Sequence, residues 1–349
     1  MKKLLLLFAI IILVFSGCKD SEPNSVLLPT LTTTTINEIT QTTATCGGVI
    51  TADAGLNVTV RGICWGITDN PTITTNKTTD GVGVGTFSSL LVGLTPGTTY
   101  FVRAYATNSA GTAYGNSNTF TTKPAIVYGS MTDIDGNNYK TITIGTQTWM
   151  AENLRTTKYN NGDLIGTTTT PTQNISSDRD PRYQWAYNGD ETKVAKYGRL
   201  YTWWVAHETT STIISGSGTI IVNHNIAPTG WHVSTDTDWT TLKSYLVTNG
   251  IVNMAKALSA TTDWLISSTD GNVGNDLSKN NSTGFSAIPC GMRYSTGGYD
   301  DLGSYAYWWS TSSDTNGQAW GSIIGYNYYS PEKLSREYAY GFSVRCIKN

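Results

Sequence analysis

Between Pro29 and Thr122 the apolar and polar positions alternate in short runs. Gly, Pro, Asn and Asp punctuate them, which is the period-two signature of half-buried strands. In "LTPGTTYFVRAYATNSAG" (94–111), Tyr100, Val102, Ala104 and Ala106 share one face, while Phe101, Arg103 and Tyr105 share the other. Thr95-Pro96-Gly97 is a turn just before this strand, with Leu94 as an apolar plug. "TTATCGGVI" (42–50) and "VTVRGICWG" (58–66) read as two more strands. On the latter, Val60, Gly62 and Cys64 share one face, and Arg61, Ile63 and Trp65 the other. The pattern predicts a run of β-strands over 29–122.

Past Lys123-Pro124 the pattern becomes mixed, and ten of the eleven tryptophans lie there. "GSMTDI" and "NYKTITIG" alternate on either side of Asp135-Gly136, which predicts a hairpin. "TDTDWTTLKSYLVTNG" (235–250) switches to helical spacing, with Trp239, Leu242 and Leu246 on one face. Thr235 and Asp238 have capping-box spacing, and Asp236 and Asp238 in the first turn suit the helix dipole. Asn249-Gly250 is a natural stop. A shorter helix is expected at 253–259 and an extra hairpin within 207–226. "GFSAIPCG" (284–291) reads as a strand that Pro289 ends or places at an edge. "AWGSIIGYNYY" and "GFSVRCIK" are the expected closing strands.

The formal net charge is -2, and 14% of residues are charged. That balance gives no basic footprint for nucleic acid and no polybasic membrane patch. The chain begins MKKLLLLFAIIILVFSGCKDSEPN. Two lysines, the apolar run Leu4–Phe15 and small residues before a cysteine make a signal peptide at 1–17. Ser16-Gly17-Cys18 resembles the lipobox of bacterial lipoproteins, with Phe15 where Leu is usual. That resemblance implies lipidation at Cys18, membrane attachment through the lipid anchor and a polar tether over 18–28. Lys19-Asp20 resembles the surface-export signal of Bacteroidetes lipoproteins, which implies an outer-membrane protein facing the outside.

The spacing of Leu94, Pro96, Thr98, Tyr100, Val102, Ala106, Asn108 and Gly111 resembles the tyrosine-corner strand of fibronectin type III domains. Downstream, "MTDIDGNNYKTITIGTQTWMAENLRTTKYNNG", "YGRLYTWWVA", "PTGWHVSTDTDWTTL", "STGFSAIPCGMRY", "YWWSTS" and "GFSVRCIK" together resemble the Fibrobacter succinogenes major paralogous domain over 127–349. "GWHVSTDTDW" and "GFSVRC" also resemble segments of formylglycine-generating enzymes. These resemblances imply a multidomain chain: an immunoglobulin/fibronectin III-like sandwich, then an α+β C-type-lectin-like domain.

Four cysteines follow the anchor, two in each half, in a compartment that permits disulfides. The expected pairs are Cys46–Cys64 and Cys290–Cys346, with buried free thiols as the alternative. Relatives of the second domain commonly carry a cysteine directly before "PTGWH" that is expected to bridge the final cysteine. Ala227 stands there instead, so a compensating Cys290–Cys346 bridge is the expectation.

Asp133, Asp135 and Asn137 have a calcium-loop rhythm, but Tyr139 and Lys140 follow where a bidentate carboxylate is needed, so a turn is expected. His232 beside Asp236 and Asp238 reads as a packed or surface histidine next to a capped helix. No HExxH or GxSxG motif occurs, the cysteines do not sit in copper-binding motifs of formylglycine-generating enzymes, and no metal or other cofactor is implied. Aromatic clusters at Tyr201-Trp203-Trp204, Tyr305-Tyr307-Trp308-Trp309 and Tyr326-Tyr328-Tyr329 offer flat faces suited to sugar rings. Trp203, Trp204, Trp308 and Trp309 are the candidate ligand-binding residues. The expected role is a non-catalytic interaction domain displayed on a β-sandwich spacer, with a surface protein or a glycan as partner. Lectin-like glycan binding and an enzyme activity are the alternatives.

Overall fold

A computed structural model describes residues 27–207, 209–215, 218–314 and 316–349. The expected signal peptide, Cys18 and nearly all of the expected tether lie outside the described residues. The chain is mostly β and divides into two compact units, Met1–Ala125 and Ile126–Asn349. Among the described residues no helix is long and apolar enough to cross a membrane.

The first unit has eight strands: Thr30–Thr33 (β1), Ala44–Ala52 (β2), Val60–Gly66 (β3), Asn76–Lys77 (β4), Gly85–Leu91 (β5), Thr99–Asn108 (β6), Gly111–Tyr114 (β7) and Asn118–Thr121 (β8). They form two sheets, β1-β2-β5 and β4-β3-β6-β7, with β8 also pairing with β6. Leu31, Ile50, Ile63, Trp65, Phe87, Val102 and Phe120 meet in one core. The strand alternation read from the sequence therefore supplies the inner faces of a sandwich. Tyr100 is buried, stacks on Phe120 at 5.8 Å between ring centroids, and accepts the N–H of Thr95 at 2.9 Å. This is a tyrosine corner, and it ties the 95–98 turn to the strand that follows it.

The same alternation separates the two cysteines of this unit. Cys46 lies in the core with Ile63, whereas Cys64, one residue after Ile63, faces the other side of its strand. The Cys64 thiol donates to the carbonyls of Pro71 (3.3 Å) and Arg103 (3.5 Å). Cys46 and Cys64 are free thiols rather than the expected bridge. Burial pushes both up to about 11.

The second unit is built on two five-stranded sheets. The strands are Gly129–Thr132 (β9), Asn138–Ile144 (β10), Gln147–Met150 (β11), Gln184–Trp185 (β12), Leu200–Tyr201 (β13), Thr209–Ser215 (β14), Gly218–His224 (β15), Trp231–Val233 (β16), Cys290–Arg293 (β17), Tyr299–Leu302 (β18), Tyr305–Ser313 (β19), Ala319–Gly325 (β20), Glu332–Arg336 (β21) and Cys346–Lys348 (β22). One sheet runs β16-β22-β11-β10-β9, so the last strand pairs beside the first hairpins. The other runs β18-β17-β19-β20-β21. β14 and β15 form the extra hairpin expected within 207–226. The helices are Val194–Tyr197 (α1), Trp203–Ala206 (α2), Asp236–Thr248 (α3) and Met254–Leu258 (α4).

α3 follows its sequence signals closely. Thr235 and Asp238 form the reciprocal capping box, and Trp239, Leu242 and Leu246 are its buried face. Residues 284–289 do not form the expected strand. Ser286 takes a left-handed φ of 57°, held by Asn281, whose Oδ1 accepts the Ser286 N–H at 2.9 Å. β17 begins only after Pro289, where the backbone N–H groups become available again for a ladder.

Two apolar clusters fill this unit. One holds Tyr201, Trp203, Trp309, Phe342, Val344 and Cys346. The other holds Trp149, Trp239, Phe285, Cys290, Trp308 and Ile347. Neighbouring residues of β19 thus enter different cores, because its sheet is covered on both faces. Cys290 and Cys346 fall in different clusters for the same reason. Cys290 accepts the Ser343 hydroxyl at 3.3 Å, on the side of the terminal segment opposite Cys346. Both are buried free thiols, so the expected Cys290–Cys346 bridge is absent.

Candidate functional site

Three of the four candidate tryptophans are structural. Trp308 donates its indole N–H to Asn153 Oδ1 (2.9 Å), Trp309 to the Tyr201 carbonyl (2.7 Å) and Trp203 to the Ser310 carbonyl (2.8 Å). All three rings are buried and already packed, so none offers a face to a ligand. The candidate ligand-binding role of Trp308 and Trp309 is overturned by the second core beneath β19, which buries the one that the first core does not. Trp204 alone stays half-buried, edge-on to Trp203 (5.1 Å) and Tyr338 (5.4 Å).

The three histidines are all engaged. His207 stacks on Trp203 at 4.3 Å, and its Nδ1 lies 3.1 Å from the Thr311 carbonyl. His224 Nε2 is 3.3 Å from Asp163. His232 sits between Asp238 (3.2 Å) and Asn349 (2.7 Å). His207 and His232 line one open cleft of about 460 Å³ with Asn225, Thr235 and Thr311. Among the described residues no group of three or more His, Cys, Asp or Glu is placed to hold a metal.

The 133–137 segment is a hairpin turn between β9 and β10. Asp133 is buried and spends its oxygens inward. It accepts the N–H groups of Asp135 (3.0 Å) and Asn137 (2.9 Å), the Asn137 amide (2.9 Å) and the Tyr139 hydroxyl (2.6 Å). Asp135 turns the other way, to Thr156, Thr157 and Lys158. Burial pushes the Asp135 carboxyl up, but those bonds outweigh it and bring it down to about 2. The two carboxylates therefore diverge, and the spacing that suggested calcium serves the turn.

The surface that sequence reasoning partly missed surrounds β18. Tyr187, Tyr294, Tyr299, Tyr305 and Tyr340 are half-buried around Asp300 and Asp301. Tyr187 meets Tyr299 edge-on at 5.3 Å, and Tyr294 meets Tyr340 at 5.8 Å. Tyr294 donates to Asp300 at 3.2 Å, and the buried Tyr307 donates to Asp301 at 2.6 Å. Burial raises the Asp301 carboxyl; the Tyr307 bond opposes this and the Asp300 charge adds to it. Half-exposed rings with polar tips beside hydrogen-bond acceptors make an amphipathic recognition face. Only Tyr305 was visible as part of an aromatic run. Tyr187, Tyr294, Tyr299 and Tyr340 stand apart in sequence, and only the fold gathers them.

The unit also buries two arginines that have no carboxylate partner among the described residues. Arg293 stacks on Trp185 at 4.0 Å and donates to the carbonyls of Pro171, Gln173 and Tyr294. Arg345 donates to Asn153 Oδ1 (3.0 Å) and to the carbonyls of Met150, Phe285 and Ser286, with the Phe285 ring 4.2 Å away. Burial lowers Arg345 to about 9. Each guanidinium satisfies several loop carbonyls at once, a use its forked donors suit.

The fold and surface define a two-unit β-rich protein with an amphipathic aromatic face. Residues 142–348 match the Fibrobacter succinogenes major domain, and the chain belongs to that family. No curated protein matches it. Among solved structures it is similar to the sensor domain of the anti-sigma factor RsgI4 of Pseudobacteroides cellulosolvens. Identity there is 19% over 29% of this chain and 100% of that one, with a TM-score of 0.23. It is also similar to the third fibronectin III domain of the human KIAA0343 protein, at 18% identity over 33% of this chain and 100% of that one, with a TM-score of 0.23. A fibronectin type III domain of the human KIAA0970 protein matches at 15% identity over 29% and 77% of the respective chains, with a TM-score of 0.21.

Proposed function

We propose that this chain is a cell-surface lipoprotein of the outer membrane that displays a non-catalytic interaction domain. Cys18 carries the anchor, the sandwich is the spacer, and the second unit is a C-type-lectin-like recognition domain. The observation that carries the reading is the tyrosine face around Asp300 and Asp301. Half-exposed tyrosines supply contact area at low side-chain entropy cost, which suits binding rather than bond-making. The histidines and the Asp133–Asp135 pair, the groups with catalytic potential, are tied into packing, capping and turns.

The same face favours a second reading, recognition of a glycan or polysaccharide. Tyrosine rings can lie against sugar rings while Asp300 and its neighbours accept hydroxyl hydrogens. An enzyme related to formylglycine-generating enzymes gains no support, since Cys290 and Cys346 face different cores. The test compares the native chain with a Tyr187→Ser, Tyr294→Ser, Tyr305→Ser variant on glycan arrays and in adhesion to intact cells. Loss of binding in a variant with native circular dichroism supports the face. Undiminished binding sinks it, and sugar-independent adhesion selects a protein partner.

A further inference from the structure

The β1-β2-β5 sheet of the first unit has two edges, and they are built differently. A sheet edge is a template for another strand, and proteins blunt it with proline, bulges, charge or cover. The β1 edge carries such devices. Pro29 precedes it, and its register shifts between Thr30 and Leu31. Its last residue is tied down: the Thr33 N–H donates to Asn116 Oδ1 (3.0 Å), and the Thr33 hydroxyl accepts the Ala104 N–H (3.0 Å).

β5 has none of these. It pairs with β2 over seven consecutive residues without a register shift, and no other strand among the described residues pairs with it. Residues 81–102 contain no charged side chain, and their one proline, Pro96, follows the strand. Arg61 takes the carbonyls of Gly83 (3.2 Å) and Val84 (3.0 Å), which leaves Gly85–Leu91 as the open stretch. Asp80 touches β5 from the inner side, where it accepts the hydroxyl of the buried Ser89.

The outer face of this edge is apolar toward both ends. Val84 is 52%, Leu90 59% and Val92 56% exposed, with the exposed Thr86 and Ser88 between them. These positions are symmetric about Ser88. A second β5 laid antiparallel, Ser88 opposite Ser88, sets Thr86 against Leu90 and Val84 against Val92 on one face. Both halves of that contact come from the same residues, the condition for a two-fold interface. An identical strand also brings no charge to the line of contact, so nothing there repels it.

We propose that β5 is a self-association edge: two copies of this chain pair their β5 strands antiparallel about Ser88 and join two three-stranded sheets into one. The blunted β1 edges then form both outer ends, so growth stops at two. This concerns the first unit and does not rest on the reading of the tyrosine face.

Sedimentation velocity of the purified chain tests it, over about 10 μM to 1 mM to cover the weak affinities of a small interface. Reversible monomer–dimer exchange is expected. Ser88→Lys, at an exposed position, sets two ammonium groups against each other and should weaken the dimer by about tenfold or more. Thr86→Lys with Leu90→Lys, and Thr86→Glu with Leu90→Glu, should each give monomers, and mixing the two should restore a dimer. Cysteines read the register in a Cys18→Ser background. Ser88→Cys should oxidise to a linked dimer, whereas Thr86→Cys, about 13 Å along the strand from its counterpart, should not. A native chain that stays monomeric to about 1 mM overturns the proposal and leaves the edge to another protein's strand. So does a dimer undiminished by a Ser88→Lys variant with native circular dichroism, equal cross-linking of the two cysteine variants, or assembly beyond two.

Discussion

His232 Nε2 lies 3.2 Å from Asp238 Oδ2 while its Nδ1 lies 2.7 Å from Asn349 Oδ1. The histidine thereby ties the C-terminal residue to the N-terminus of α3. Asp238 also accepts the Thr235 N–H (2.8 Å) and hydroxyl (2.6 Å), so one carboxylate serves the cap and the tie. Asp238→Ala is expected to cost about 1–2 kcal/mol, at the upper end for a cap, because both functions go together. The His232–Asp238 coupling alone should be below about 1 kcal/mol, since the imidazole is 39% exposed. Urea unfolding of the single and double variants measures both. A coupling of several kcal/mol would mean the pair does more than hold the helix.

Acid stability should report on Asp135. Its folded carboxyl sits at about 2, below the ordinary 3.8, so on acidification the unfolded chain binds this proton first. The Asp135 contribution is therefore fully present above about pH 4 and is lost as pH falls toward about 2. Asp135→Asn removes that dependence. The stability advantage of the native chain over the variant should shrink across this window. An advantage that is constant from pH 6 to 2 would contradict the assigned bonds to Thr156, Thr157 and Lys158.

Ala227 and Cys346 are both buried in the same apolar cluster, whereas Cys290 lies in the other. Ala227→Cys is expected to form a 227–346 bridge on oxidative refolding and to stabilise the unit by about 2–4 kcal/mol. Peptide mapping of the non-reduced protein shows whether that link forms. Without it, Cys46, Cys64, Cys290 and Cys346 should resist alkylation at neutral pH and react only on unfolding, since burial disfavours each thiolate.

Arg345→Met should destabilise by on the order of 3 kcal/mol or more, because it leaves the carbonyls of Met150, Phe285 and Ser286 without their guanidinium donor, while Asn153 keeps only the Trp308 indole. Arg345→Lys should recover little, since one ammonium cannot reach acceptors spread over a fork. Thermal unfolding of the two variants tests this. A lysine variant as stable as the native chain would show that charge, not geometry, holds the 284–289 loop.

Much of the fold was legible wherever a local rule operated. α3 and its cap, the 133–137 turn, the alternation of β6 and the tyrosine corner all rest on contacts within a few residues, and each formed as read. The tryptophans and cysteines were misassigned because their roles depend on what covers the second face of a strand. Spacing puts Trp308 and Trp309 on opposite sides of β19, but it does not reveal that both sides are cores. Arg293 and Arg345 were invisible as core residues, since most of their acceptors are carbonyls far along the chain.

The sequence by itself determined the strand and helix periods, the caps and the turn chemistry, because these are set by backbone preference and short-range hydrogen bonds. Only the tertiary structure decided which aromatics are core and which are surface, and that the cysteines stay apart. It also gathered five dispersed tyrosines around Asp300 and Asp301. Those outcomes depend on long-range packing, where a side chain's environment is built by residues a hundred or more positions away.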